Sequence, residues 1–234
     1  CCFWNRQETL YFVRPKWEGS MLLRAMANGS SEMVSNIAGG VTILLFNLAM
    51  MDLLGEEGVS AISIVLYTQF LFTALFFGFS EGVAPVISYN YGSREDEYQK
   101  RLFRYCMVVV WAGTAAMVLL AWLSADGLIS LFTDRESAVF PLAHHGYRLF
   151  LWNFLFAGFN MFASALFTAL SNGAISALIS FLRTFGFIVA SILLLPRVLG
   201  VDGAWLAVPV AELGTFLVAG ALVLAYGRRY HYLR

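Results

Sequence analysis

Six long apolar runs dominate this chain and leave it few ways to fold. They cover Glu32–Leu54, Ser60–Tyr89, Leu102–Ser124, Leu142–Leu170, Ala174–Leu195 and Gly203–Tyr226. A bilayer core is ~30 Å thick, and a helix needs ~20 apolar residues to cross it. Every run reaches that length. The predicted class is therefore all-α, a polytopic membrane protein with six transmembrane helices. Composition agrees: 59% of the residues are hydrophobic and 13% charged, against about a quarter charged in soluble domains.

Other classes lose support from the same residues. A formal net charge of zero argues against a nucleic-acid partner. The three cysteines, Cys1, Cys2 and Cys106, have no CxxC spacing and suggest neither a zinc site nor a disulfide framework. His144 and His145 are adjacent, so they point to different faces of a helix and form no two-ligand metal motif. The spans contain no HExxH, no GxSxG and no paired Asp motif, so an enzyme is not expected. Residues from Cys1 to Lys16 are mixed and polar, without the apolar core of a signal peptide. The start at Cys1-Cys2 reads as a segment of something longer.

Charge gives the orientation. Lys and Arg concentrate on the cytoplasmic side of helical membrane proteins. Arg6, Arg14, Lys16 and Arg24 precede the first run. Arg94, Lys100, Arg101 and Arg104 follow the second, and Arg228, Arg229 and Arg234 follow the last. Six alternating helices put these eleven on one side, with only Arg135, Arg148 and Arg197 on the other. Both ends are expected in the cytoplasm of a cell-membrane protein. The expected connections are Gly55–Val59, Gly92–Lys100, Ala125–Pro141 and Ser171–Gly173. Glu18–Met26 is expected to form an interfacial helix. Leu128, Ile129, Leu131 and Phe132 are expected to make a short amphipathic turn in the interface.

Ionisable groups inside spans are costly, and they are functional candidates by default. Glu81 lies two-thirds along the second run, in GFSEGVAPVISYNYG (Gly78–Gly92). Pro85 follows four residues later, removes a backbone donor and should kink the helix. A carboxylate beside a kink suits a proton or cation site; a buried Glu that only stabilises helix contacts fits the same residues. Arg183 and Glu212 each lie nine residues into the fifth and sixth runs, entering from opposite sides. Their levels differ by roughly 6 Å at 1.5 Å per residue, which an Arg side chain can cover. The two are expected to form a buried ion pair, with Pro209 bending the last helix. Glu32 opens the first run, where the helix dipole favours a carboxylate, and Asn36 follows one turn later. Asn153 and Asn160 are seven residues apart and share a helix face. Asn36, Asn153, Asn160 and Tyr147 are candidates for lining a cavity, although intramembrane asparagines often only bridge helices. At least one of Glu81, Asn153 or Asn160 is expected on a polar, aromatic-lined face that lipid cannot satisfy.

Four stretches carry a family resemblance in order and spacing. GFSEGVAPVISYNYGS resembles the end of the eighth helix of the multidrug and toxic compound extrusion (MATE) family. NGSSEMVSNIAGGVTILLFN resembles its seventh helix. LISLFTDRESAVFPLAHHGYRLF resembles the link from helix nine to ten, and ALFTALSNGAISALISFLRTFGFIVASILLLPRVLGVDGAWLAVPVAELGTFLVA resembles helices ten to twelve. The resemblance runs from about residue 10 to the end. It implies one lobe of a twelve-helix transporter, the second six helices. Residues 1–30 would be a cytoplasmic inter-lobe segment with an interfacial helix, 31–227 the six-helix lobe and 228–234 a cytoplasmic tail. The partner would be a first six-helix lobe of the same polypeptide, beside the lipid bilayer and a small drug-like substrate.

The resemblance further implies a cation-coupled antiporter with no cofactor and Na⁺ or H⁺ as the coupling ion. Glu32 matches the region where the family's seventh helix often carries an acidic residue. Some Na⁺-coupled members carry a Tyr and an Asp one turn apart in helix ten. Here Tyr147 is followed four residues later by Leu151, which speaks against that kind of site. Glu81, Glu32 and Glu212 remain the coupling candidates. A lipid-linked precursor flippase of the same superfamily is the alternative within transport. A membrane scaffold is the alternative outside it, and it would leave Glu81 and Glu212 without a task.

Overall fold

A computed structural model describes the backbone of residues 18–232 and the side chains of 18–20 and 37–232. The chain divides into two compact units, Cys1–Val34 and Ser35–Arg234. The short unit contributes helical backbone over 19–34. The large unit is an all-helical bundle.

The first helical stretch, α1 (Gly19–Ser93), is longer than any membrane crossing. Its apolar part, Ile37–Ser93, has 57 residues, or roughly 86 Å at 1.5 Å per residue. Gly55 divides it, with φ 67° and ψ −153°, a conformation essentially closed to residues with a Cβ. In an unbroken helix residues 50 and 58 would lie ~12 Å apart along the axis. Here a Cβ on Gly58 would lie 2.9 Å from the carbonyl oxygen of Met50, so the chain turns back. Phe46 and Met50 of one arm share a buried cluster with Ile62 and Val65 of the other. The single stretch thus supplies two crossings, split where the first connection was expected.

The remaining crossings are α2 (Asp96–Ser130), α3–α4 (Val139–Phe150 and Phe154–Ala169), α5–α6 (Gly173–Phe181 and Phe187–Leu199) and α7 (Val201–Tyr226). Each of these four is long and apolar enough to span. With the divided α1 they make six passages, and the chain is a multi-pass membrane protein. The helices run further than the apolar runs. Only Arg94 and Glu95 separate α1 from α2, and α2 continues through Leu128 and Ile129. The expected interfacial turn is therefore the last turn of α2 and the bend after it. Ile129 is buried there while Leu131 and Phe132 are exposed. Gly200, at φ 61°, makes the tight reversal from α6 to α7. Helical dihedrals continue through Pro85 and Pro209.

Helix α4 is the centre of the bundle. Eleven of its sixteen residues are buried, and it packs on α2, α5 and α7. One buried cluster lies towards the end that holds Gly55, the α2–α3 bend and Gly200. A second lies towards the end that holds the close of α1, the start of α2 and the residues after α7. That second end carries Arg94, Lys100, Arg101, Arg104, Arg228 and Arg229, and is called the basic end below.

Candidate functional site

Arg183 and Glu212 meet. Arg183 Nε donates to Glu212 Oε1 at 2.8 Å. The Glu212 side chain is 5% exposed and that of Arg183 22%. The other carboxylate oxygen is also taken: Asn160 Nδ2 donates to Oε2 at 2.6 Å and to the Glu212 carbonyl at 2.9 Å. Three crossings are thereby fastened at one level, α4 through Asn160, α5–α6 through Arg183 and α7 through Glu212. A buried charge is tolerated only when paired and hydrogen-bonded, and both oxygens of Glu212 meet that condition.

The backbone beside the pair is irregular. Leu182–Gly186 is a π-helical turn joining α5 to α6, and Arg183 sits in it. Such a turn changes the register of the helix and is frequent at functional sites. Thr42 Oγ1, from the first arm of α1, donates to the Thr184 carbonyl at 3.1 Å. Nothing in the apolar periodicity announces this turn.

Below the pair, towards the basic end, hydroxyls link α4 to α5. Ser164 Oγ lies 3.0 Å from Ser176 Oγ and 2.8 Å from Ser180 Oγ. Thr168 Oγ1 lies 2.7 Å from Ser176 Oγ, and Thr184 Oγ1 donates to the Ser180 carbonyl at 2.8 Å. Asn160, Ser164 and Thr168 recur every fourth residue on α4; Ser176, Ser180 and Thr184 do so on α5 and the turn. That spacing is visible in the sequence and would have identified the seam. It was missed because single serines and threonines carry little signal in a helix.

Other candidates fall elsewhere. Asn153 and Asn160 are fully enclosed rather than on an open face. Asn153 lies in a 3₁₀ turn, Leu151–Asn153, between α3 and α4, and its Nδ2 donates to the Phe150 carbonyl at 2.6 Å. Tyr147 is buried as well. The cause is positional: α3–α4 is the most surrounded crossing, so its polar groups turn inward to protein. Glu81 is exposed, on the same side of α1 as Ala74, Gly78, Gly82 and Pro85. Glu32 and Asn36 lie outside the residues whose side chains are described.

The histidines are tied rather than free. His144 Nε2 lies 2.9 Å from Asp126 Oδ1, and His145 Nε2 lies 2.7 Å from Asp202 Oδ1. They bind the middle of α3 to the last turns of α2 and the start of α7. Among the described residues no group of three or more His, Cys, Asp or Glu is placed to hold a metal. An apolar groove of about 370 Å³ lies near the same end, lined by Tyr67, Phe70, Leu71 and Phe132.

Comparison with known proteins agrees with this architecture. No curated protein matches the chain. Among solved structures, the crystal structure of MATE in complex with MaL6 matches with a TM-score of 0.84 at 18% identity, over 97% of this chain and 52% of that one. The inward-facing conformation of a multidrug resistance MATE family transporter matches with a TM-score of 0.82 at 20% identity, over 92% and 50%. A Pyrococcus furiosus transporter of the MOP superfamily, whose binding pocket of reverse polarity suggests a different function, matches with a TM-score of 0.80 at 18% identity, over 97% and 51%. The chain spans about half the length of each. The MatE family profile matches residues 24–193, well over half of the sequence, and the chain belongs to the MatE family of membrane transporters.

Proposed function

We propose that this chain is the second six-helix lobe of a cation-coupled antiporter that exports drug-like, often cationic compounds in exchange for Na⁺ or H⁺. The family membership and the half-length matches support the lobe reading. The observation that carries the rest is the exposed face of α1. Ala74, Gly78, Glu81, Gly82 and Pro85 recur at helical spacing and are all exposed. Small residues allow another helix to approach closely. A carboxylate among them is a poor neighbour for lipid. A first six-helix lobe of the same polypeptide is the partner that covers this face, and the substrate passes between the two bodies.

Glu81 is the leading coupling group because its carboxylate is open on that face. Glu212 is a weaker choice, since Arg183 and Asn160 already take both of its oxygens. Its task is to hold three crossings together. Glu32 remains a further coupling candidate from the first arm of α1. The eleven-to-three distribution of Lys and Arg in the sequence supports a cytoplasmic position for the basic end. Both ends of the chain would then lie on the cytoplasmic side of the cell membrane.

The test is Glu81→Gln in the full-length transporter, reconstituted in vesicles with imposed Na⁺ or pH gradients. The amide keeps shape but cannot exchange a proton or hold a cation by charge. Weakened gradient-driven transport, or a shifted pH dependence, is the expected result. Unchanged transport with unchanged pH and ion dependence removes Glu81 from the coupling role.

A further inference from the structure

The residues after α7 do not leave the bundle as a free tail. Residues 227–232 form a strap of turns across the basic end. Tyr230 is buried; its ring meets Tyr91 at 5.6 Å and Phe167 at 6.5 Å. Its hydroxyl accepts from Asn172 Nδ2 at 2.9 Å. Tyr232 is buried against Phe103, 4.7 Å between centroids, and donates to the Val223 carbonyl at 2.7 Å. Between them His231 Nδ1 meets Asp96 Oδ2 at 2.6 Å. The strap thus joins the basic ends of α1, α2, α4 and α7 and the turn before α5.

Arg229 lies between these anchors. Tyr226 and Tyr230 stack 6.0 Å apart with ring planes 23° from parallel. The Arg229 guanidinium carbon is 5.8 Å from one ring centroid and 5.9 Å from the other. A cation over aromatic faces is attracted by the ring quadrupoles, and the fixed strap limits the freedom of its backbone. Most exposed arginines lack such an aromatic seat. Arg228 is exposed next to it, and Arg94 is exposed three residues beyond Tyr91.

The local carboxylates are largely engaged. Asp96 faces His231 and Glu97 pairs with Lys100 at 3.0 Å. Glu95 is exposed beside Arg94 and is the one carboxylate of that stretch without an ion-pair partner among the described residues. Arg94, Arg228 and Arg229 have no carboxylate within 4 Å among the described residues. A guanidinium is planar, always charged and presents several donors matched to phosphate oxygens. This end also closes an apolar span, and exposed Tyr89, Tyr98 and Tyr105 flank it, as aromatic residues do at membrane interfaces.

We propose that Arg229 on its Tyr226–Tyr230 platform, with Arg228 and Arg94, binds the phosphate of an anionic phospholipid headgroup. The site depends on the membrane placement of the bundle and not on any transport cycle. The shared chemistry is an oxyanion, and a membrane-borne one is favoured because the site closes a membrane span.

The experiment uses the full-length protein in micelles, with phosphatidylglycerol or phosphatidylcholine added, and native mass spectrometry to count retained lipid. The wild type should retain phosphatidylglycerol in preference. Arg229→Gln should reduce that preference about fivefold, the usual effect of one basic residue near an anionic surface, and R94Q/R228Q/R229Q should abolish it. Arg229→Lys should fall between, and Tyr226→Leu, which keeps the charge but removes half of the platform, should also weaken retention. Arg135→Gln, at the opposite end, should leave it unchanged. Should Arg229→Gln fail to fold, the Lys and Leu variants still decide. Equal retention by the wild type and these variants overturns the site. Displacement of phosphatidylglycerol by an equal concentration of inorganic phosphate overturns the lipid assignment in favour of a free oxyanion.

Discussion

Removing Arg183 while leaving Glu212 probes the centre of the bundle. In Arg183→Ala the carboxylate keeps Asn160 but loses its only cation among the described residues. Removing one partner of a buried pair typically costs ~3–5 kcal/mol. The Glu212 side chain is 5% exposed, whereas Arg183 is 22% exposed. The arginine side of the pair is therefore partly screened, and the lower half of that range is expected, about 3 kcal/mol. For a body of this size 1 kcal/mol shifts a melting temperature by about 2–4 °C, so a drop of roughly 6–12 °C should appear in the unfolding transition of this lobe. The double variant R183A/E212Q removes both charges and keeps an amide that can pair with Asn160. Replacing a buried pair by neutral groups is often close to neutral, so the double variant should recover most of the loss. The assay is thermal unfolding followed by fluorescence-detected size exclusion, read as a double-mutant cycle. A double variant as unstable as Arg183→Ala would refute the reasoning, because the cost would then come from lost packing rather than an orphaned charge.

Other outcomes follow from the same structure. A Cβ on Gly146 would enter the ring of Trp205, so Gly146→Ala should cost ~1–3 kcal/mol by overpacking, visible as a lower melting temperature. Tyr232→Phe removes the hydrogen bond to the Val223 carbonyl and should cost ~1 kcal/mol in the same assay. Cysteines placed at Glu56 and Asp134 should react with impermeant reagent from outside, and one at Glu95 only from inside; reversed reactivity at Glu95 would invert the orientation.

The crossings were legible because length and hydropathy are local quantities, and Gly55 marked the first division on its own. The Arg183–Glu212 pairing was also legible, since two lone charges at matching depth in neighbouring apolar runs have few other partners. What stayed hidden depends on backbone register and on distant contacts. The π-helical turn at Leu182–Gly186 and the 3₁₀ turn at Leu151–Asn153 leave the apolar pattern intact. Spacing puts Asn153 and Asn160 on one face but does not fix what that face meets, and here both are buried against protein. The His–Asp pairs join residues up to 135 positions apart. The resemblance implies a cytoplasmic tail over 228–234; within it the aromatic side chains of Tyr230 and Tyr232, two positions apart, are the sign in the sequence of a docked strap over 227–232.

The most direct test of the central claim is gradient-driven efflux measured twice in reconstituted vesicles, once with residues 1–234 alone and once after co-expression with the first six-helix lobe. A lobe that needs its partner should give no efflux alone. The pair should export a drug-like cation only when a Na⁺ or H⁺ gradient is imposed, and lose that export when the gradient is collapsed. Robust efflux by residues 1–234 alone, or export by the pair that ignores both gradients, would contradict the account.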